Sequence, residues 1–502
     1  MKNGTFNDAC ANQSKGYVDG YEKGYIDGYT VGKAEYEATA HKHTAGEWVV
    51  VKEATTTETG LKVQYCTECK EKIGEETIPV AELPTLEYIV NADAKSCTIT
   101  GIGNFAGENL IIPSVLDGYA VTAIGEEAFY GQTGLKSVSI ANTVTSIGKE
   151  AFYYCTGLTS VNLGNGLKTL GDSAFGYCSS LTNISLNEGL ESIGIGVFRD
   201  CTALTGIEIP DSVTVFGVTE NGALADGIFY NCKALSFAVI GNSVTNIPNY
   251  TFYGCQSLSS VMLPGGVTTI GISAFEGCGS LQKIDLPGSV TTIGASVFKN
   301  CSSLQKVEIP DGITTISNSM FSGCQNLTSV LLPGSVTSIG AAAFKNCSSL
   351  LKIDLPEGVT EIRSSAFEGC SSLLKIELPD GVKTINPSTF KNCSSLLKVE
   401  LGNRTDSIEE EAFWGCSKLI DIVLPGSLYS LGAYVFSGCD SLTSLTYNGY
   451  KDSWTGWEEY EDNGWGGEDY YYYDGVIDNS ESNWDYGSSI KTIICLDGKI
   501  AN

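Results

Sequence analysis

Apolar positions recur on a fixed beat through most of this chain. Phenylalanines stand at 129, 152, 175, 198, 229, 252, 275, 298, 321, 344, 367, 390, 413 and 436. The step is constant except from Phe198 to Phe229, where it lengthens. Three residues after each Phe except the first comes a cysteine, from Cys155 to Cys439. The stretch Leu281 to Cys301 shows what one unit builds. Leu281, Ile284 and Leu286 alternate with polar Lys283 and Asp285, which predicts a strand with one face inward. Pro287 lacks an N–H for a continuing ladder and ends that strand. Val290 and Ile293 form a second short apolar element, and Gly294 turns the chain. Val297, Phe298 and Cys301 fall on one face of a single helical turn.

Eight positions of each unit therefore point inward, more than a lone 23-residue segment can bury. Stacked units share one continuous core, so the pattern predicts a β-rich repeat solenoid. Each unit would contribute one stacked parallel strand and a short helical turn. With parallel strands about 4.8 Å apart, fourteen units would extend roughly 65 Å.

The unit L-P-x-x-V-x-x-I-G-x-x-A-F-x-x-C-x-x-L resembles the BspA-type leucine-rich repeat of bacterial and protist surface proteins. The ends match that family as well. Residues 85–118, with Thr98-Ile99-Thr100-Gly101 and Ile111-Ile112-Pro113, look like its N-terminal cap, and 447–502 looks like its C-terminal cap, leaving the solenoid proper at 119–446. Caps are needed because an open end exposes core and strand edges. The resemblance implies an extracellular or surface-attached protein, in a family where some members are adhesins. Two functions follow as expectations: a binding or adhesion scaffold contacted through its strand face, or a structural, self-assembling surface element with no specific ligand.

Three segments lie outside the repeat pattern. Residues 1–40 hold a G-Y-x-x series, Gly16 to Gly32. It reads as a flexible tether or as a helix formed only by self-association, since each Gly costs a helix about 1 kcal/mol. Residues 41–84 form a small module holding the only two histidines, His41 and His43, with Cys66 and Cys69 in a C-x-x-C. Those four would supply the N and S ligands of a tetrahedral structural zinc. A small β-module without metal is the other reading. Between Trp454 and Trp484 the C-terminal cap carries an acidic, aromatic insertion, read as a solvated or ligand-contacting loop.

Composition narrows the function. Lys+Arg is 30 against 58 Asp+Glu, a net charge of −28, which disfavours nucleic acid and anionic membrane surfaces as partners. No apolar run is long enough to span a bilayer. The start, Met1 to Asp8, shows no signal peptide; read literally it is cytoplasmic, while a trimmed or truncated start leaves export open. No nucleophile–base–orienter set or phosphate-binding loop is present, so no enzyme is expected. The thirteen column cysteines are odd in number and occupy one core position, which predicts free buried thiols rather than disulfides.

The outward strand positions are where a partner would seat. Early units carry Ser or Asn there, such as Ser137 and Asn162. Later units carry Lys and acid, such as Lys352/Asp354 and Lys375/Glu377, a charge ladder. Between them stand Phe237 and Val239, then Ser260 and Met262. That apolar patch marks a candidate site for a protein or glycan ligand. The same unit holds the eight extra residues within 218–226. Either that loop accompanies a binding site or it folds over Phe237 and hides it.

Overall fold

The computed structural model describes residues 44–52, 59–78, 86–217, 227–449, 489–495 and 498–501. The L-x-x-I-x-L segments become strands that stack in parallel, each residue beside its equivalent one unit on. Val138 pairs with Val161, which pairs with Ile184. Farther along, Ile376 pairs with Val399 and Val399 with Ile422. At Lys283 the ladder narrows to a single bridge, to Lys306. The second apolar element forms a parallel column of its own, in two-residue strands such as Ser146–Ile147, Thr169–Leu170 and Ser192–Ile193. The glycine after this strand answers a close approach. A Cβ on Gly294 would lie 2.6 Å from the backbone nitrogen of Ile272 in the preceding turn.

The third side of each turn differs from expectation. No helix occurs among the described residues, and the Phe-to-Cys segment is a run of turns. An α-helix keeps its N–H groups for its own carbonyls. Here every second N–H is given to the next unit: Phe152 N–H donates to the Ala174 carbonyl at 2.8 Å and Tyr154 N–H to Gly176 at 2.9 Å. The N–H groups between them close short turns, Tyr153 to Glu150 at 3.1 Å and Cys155 to Phe152 at 3.2 Å. This alternation needs left-handed residues on both sides of the phenylalanine. Glu150 and Tyr154 stand at φ 54° and 58°, and later units place Asn300, Asn346 and Asn392, or Gly323, Gly369 and Gly415, at the second position. Asn and Gly tolerate that conformation, and a helix interior does not.

Inside the arc the fourteen phenylalanines are fully buried. Their rings stack along the axis with centroids 5.0–6.0 Å apart and planes within 15°. The stack runs unbroken across the long unit, where Phe198 and Phe229 are 5.7 Å apart. Residues 218–226 themselves lie outside the described residues.

At the N-terminal end, Glu87–Val90 pairs antiparallel with Ser96–Gly101, which starts the second column by pairing with Tyr119–Ile124. Asn109–Ile112 starts the first column beside Ser137–Ile140. At the other end, Ser444–Tyr447 pairs with Thr492–Cys495, and a final antiparallel strand, Gly498–Ala501, closes the sheet. Residues 44–78 make a separate three-stranded antiparallel sheet of Ala45–Lys52, Gly60–Cys66 and Lys72–Ile78.

Candidate binding face

Cysteine occupies its core column for a reason beyond size. Each column thiol donates to the phenylalanine carbonyl of the preceding unit, as Cys301 does to Phe275 at 3.1 Å and Cys347 to Phe321 at 3.1 Å. That carbonyl also accepts the N–H of its own unit's cysteine, Cys278 to Phe275 at 3.1 Å, so both lone pairs are used. All thirteen column thiols are free and buried. Burial pushes Cys155 up to about 12 and raises Cys178, Cys278 and Cys370 well above the ordinary thiol range. That suppresses the thiolate which oxidation or metal binding requires. The column is therefore structural.

The strand face is where chemistry varies. Phe237–Val239 and Ser260–Met262 lie side by side, with Phe237 opposite Ser260 and Val239 opposite Met262. Met262 is 63% exposed and Phe237 43%, Ser260 is exposed, and Val239 is half-buried. The four residues picked from the sequence thus form one surface. One detail was not foreseen. The Phe237 ring lies across Gly206 on the preceding strand, in space that any side chain there would fill. The scaffold covers one side of the ring and holds it in place.

A second apolar feature escaped the sequence reading. In half of the units the residue after the repeat leucine is Thr or Ser, whose hydroxyl can donate to the equivalent carbonyl one unit back. Thr159 does so to Lys136 at 2.8 Å and Ser236 to Thr205 at 2.8 Å. In four consecutive late units this position becomes Leu351, Leu374, Leu397 and Ile420, all exposed. Beside them runs the Lys–acid ladder. Lys352 meets Asp354 at 2.8 Å, Lys375 meets Glu377 at 2.6 Å and Glu400 at 2.9 Å, and Lys398 meets Glu400 at 3.0 Å. The hydrogen bonds to Glu377 and Glu400 raise the Lys375 pKa, and those from Lys375 and Lys398 lower that of Glu400. A groove of about 690 Å³ lies along this face between residues 351 and 402. The signal was present: a polar column of Thr, Ser, Gln and Lys turning to Leu/Ile for four units.

The turn side of the early units carries a tyrosine cluster, also unforeseen. Tyr130, Tyr153, Tyr154 and Tyr177 contact one another at centroid distances of 4.6–6.1 Å. The Arg199 guanidinium lies 5.2 Å from the centre of the Tyr177 ring and 5.6 Å from that of Tyr230, which stacks on Tyr253 at 4.7 Å. The residue after each phenylalanine supplies most of it.

Of the proposed zinc ligands, Cys66 ends the second strand of the N-terminal sheet, buried, and Cys69 sits half-buried in the turn that follows. His41 and His43 lie outside the described residues, as do the glycines and tyrosines of 16–32 and the insertion between Trp454 and Trp484. Among the described residues no helix is long and apolar enough to cross a membrane.

Stacked turns, all but one of the same length, around a shared leucine and phenylalanine core define a leucine-rich-repeat β-solenoid. The chain belongs to the BspA-type leucine-rich-repeat family, whose model of six repeat copies matches residues 101–219, 223–351 and 337–454. Among solved structures, a leucine-rich repeat protein from Bacteroides ovatus ATCC 8483 is 28% identical, with a TM-score of 0.53 over 73% of this chain and 94% of that one. A leucine rich cell surface protein from Faecalibacterium prausnitzii A2-165 is 29% identical, with a TM-score of 0.44 over 74% and 95%. No curated protein matches the sequence significantly.

Proposed function

We propose that this protein is a non-enzymatic binding scaffold, secreted or displayed at a cell surface, which captures a protein or glycan on its strand face at Phe237, Val239, Ser260 and Met262. The observation that carries this reading is the exposure of Phe237 and Met262 on adjacent, paired strands, in columns that elsewhere hold mostly Ser, Asn, Lys and carboxylate. Side chains that stand outward on a rigid framework spare binding the cost of ordering a loop, because the backbone beneath them is already ordered. The contact of Phe237 with Gly206 adds to that preorganisation. Family membership supports the surface location and the absence of catalysis.

The test is capture of matrix proteins, plasma proteins and arrayed glycans by the full chain, compared with Phe237→Ser/Met262→Ser. Loss of a captured ligand in the double variant, with an unchanged melting curve, supports the site. A ligand retained by the double variant places binding elsewhere.

A further inference from the structure

The late strand face carries an order of chemistry that is complementary to its own reverse. In the rung built on Lys398–Glu400, exposed Leu397 is followed by Lys398, then by Glu400, and at the strand's end by part-buried Leu401. The two preceding rungs repeat apolar, basic, acidic, apolar in the same register. A two-fold axis along the solenoid, set between the lysine and acid columns, reverses that order. It lays lysine on carboxylate and carboxylate on lysine in all three rungs at once, and it brings the exposed aliphatic column over the strand ends, where Leu355 and Leu401 are part-buried and Leu378 is buried. A two-fold across the solenoid would set lysine against lysine.

We infer that this face is a homotypic interface that joins two copies of the chain, both solenoids running in the same direction. The periodicity selects the occupant. Rungs recur at strand spacing, about 4.8 Å, so a partner matches more than one only if it presents the inverse charge order at the same interval. A second copy does so by symmetry, through the same patch on both subunits. The groove supplies room for interdigitation, and the change from polar to aliphatic residues falls on these units. In the isolated chain the lysines bridge to acids of their own and the neighbouring strand, in water, where such pairs contribute little. Burying the flanking leucines gives the association its driving force, and the charge columns set its register. These rungs occupy a later stretch of the same strand face than Phe237 and Met262.

Sedimentation of the full chain tests the inference, with two charge-reversed variants: Lys352→Glu/Lys375→Glu/Lys398→Glu and Asp354→Lys/Glu377→Lys/Glu400→Lys. The wild type should be a dimer that weakens as salt rises. Each variant alone should dissociate about a hundredfold more readily, or further, because like charges then face each other. An equimolar mixture of the two should restore a dimer with one copy of each. Circular dichroism confirms that both variants fold. A wild type that stays monomeric, a dimer that survives either reversal, or a mixture that fails to recover would each overturn it. Phe237→Ser/Met262→Ser should dimerise like the wild type, and ligand capture by the charge variants reads the first site independently.

Discussion

The phenylalanine–cysteine arc and the strand face belong to the same turns, yet they obey different rules. Along the arc every unit after the first presents the same pair of side chains, because each ring is the floor for the next and each thiol satisfies the carbonyl one unit back. A substitution there is felt by two neighbours. On the strand face an outward side chain touches its neighbours only sideways, so the column drifts from Ser and Asn to Phe, Val and Met, then to Lys and acid. Repetition marks what stacking requires. Departures from repetition mark where the surface is free to acquire a partner.

The largest expected difference between the two regions appears at alkaline pH. The buried thiols are held neutral, with Cys155 pushed up to about 12. In the unfolded chain they ionise at about 8.5. Above that pH the folded state holds more protons than the unfolded one, so stability falls as pH rises. Melting temperature should drop steeply between about pH 9 and 12, and thiol reagents should spare the column until it does. A flat profile would mean the column is not a set of neutral thiols.

Next in size is Phe252→Ala, which empties a ring from the stack and should cost about 3–5 kcal/mol by denaturant titration. Phe237→Ser, on the outward face, should cost far less, since the ring is exposed and lies across Gly206 outside the core. Equal losses would show Phe237 to be core and erase the contrast. Smaller still is Asn346→Val, which forces a β-branched residue into the left-handed region that Asn346 occupies. By the same titration it should cost about 1–2 kcal/mol, with Asn346→Gly close to neutral. At the bottom of the scale, Lys375→Ala should leave the melting temperature unchanged, its ion pairs being exposed to water.

Much of this was legible in one dimension. The Phe and Cys columns named the inward positions, and all fourteen rings are buried where the repeat put them. The outward placement of Phe237 and Met262 followed from strand alternation alone. The Phe-to-Cys segment reads as a helical turn because Val297, Phe298 and Cys301 fit helical spacing, and no helix forms there among the described residues. The Asn or Gly two residues after most phenylalanines was the countersignal. The aliphatic column at Leu351 to Ile420 was overlooked because it adjoins the repeat leucine, where an apolar residue reads as core.

The sequence by itself determined the period, the inward columns and the conclusion that no unit folds alone, because those depend only on how much apolar surface a single repeat carries. Tertiary structure decided where the hydrogen bonds go. Whether an N–H in the arc serves its own turn or the next one depends on a neighbour in the following unit, which no local propensity contains. It also decided which surfaces exist. The cover over one side of Phe237, the bond from each thiol to the carbonyl of an earlier turn, and the groove beside Leu374 arise only when separate turns come to lie side by side.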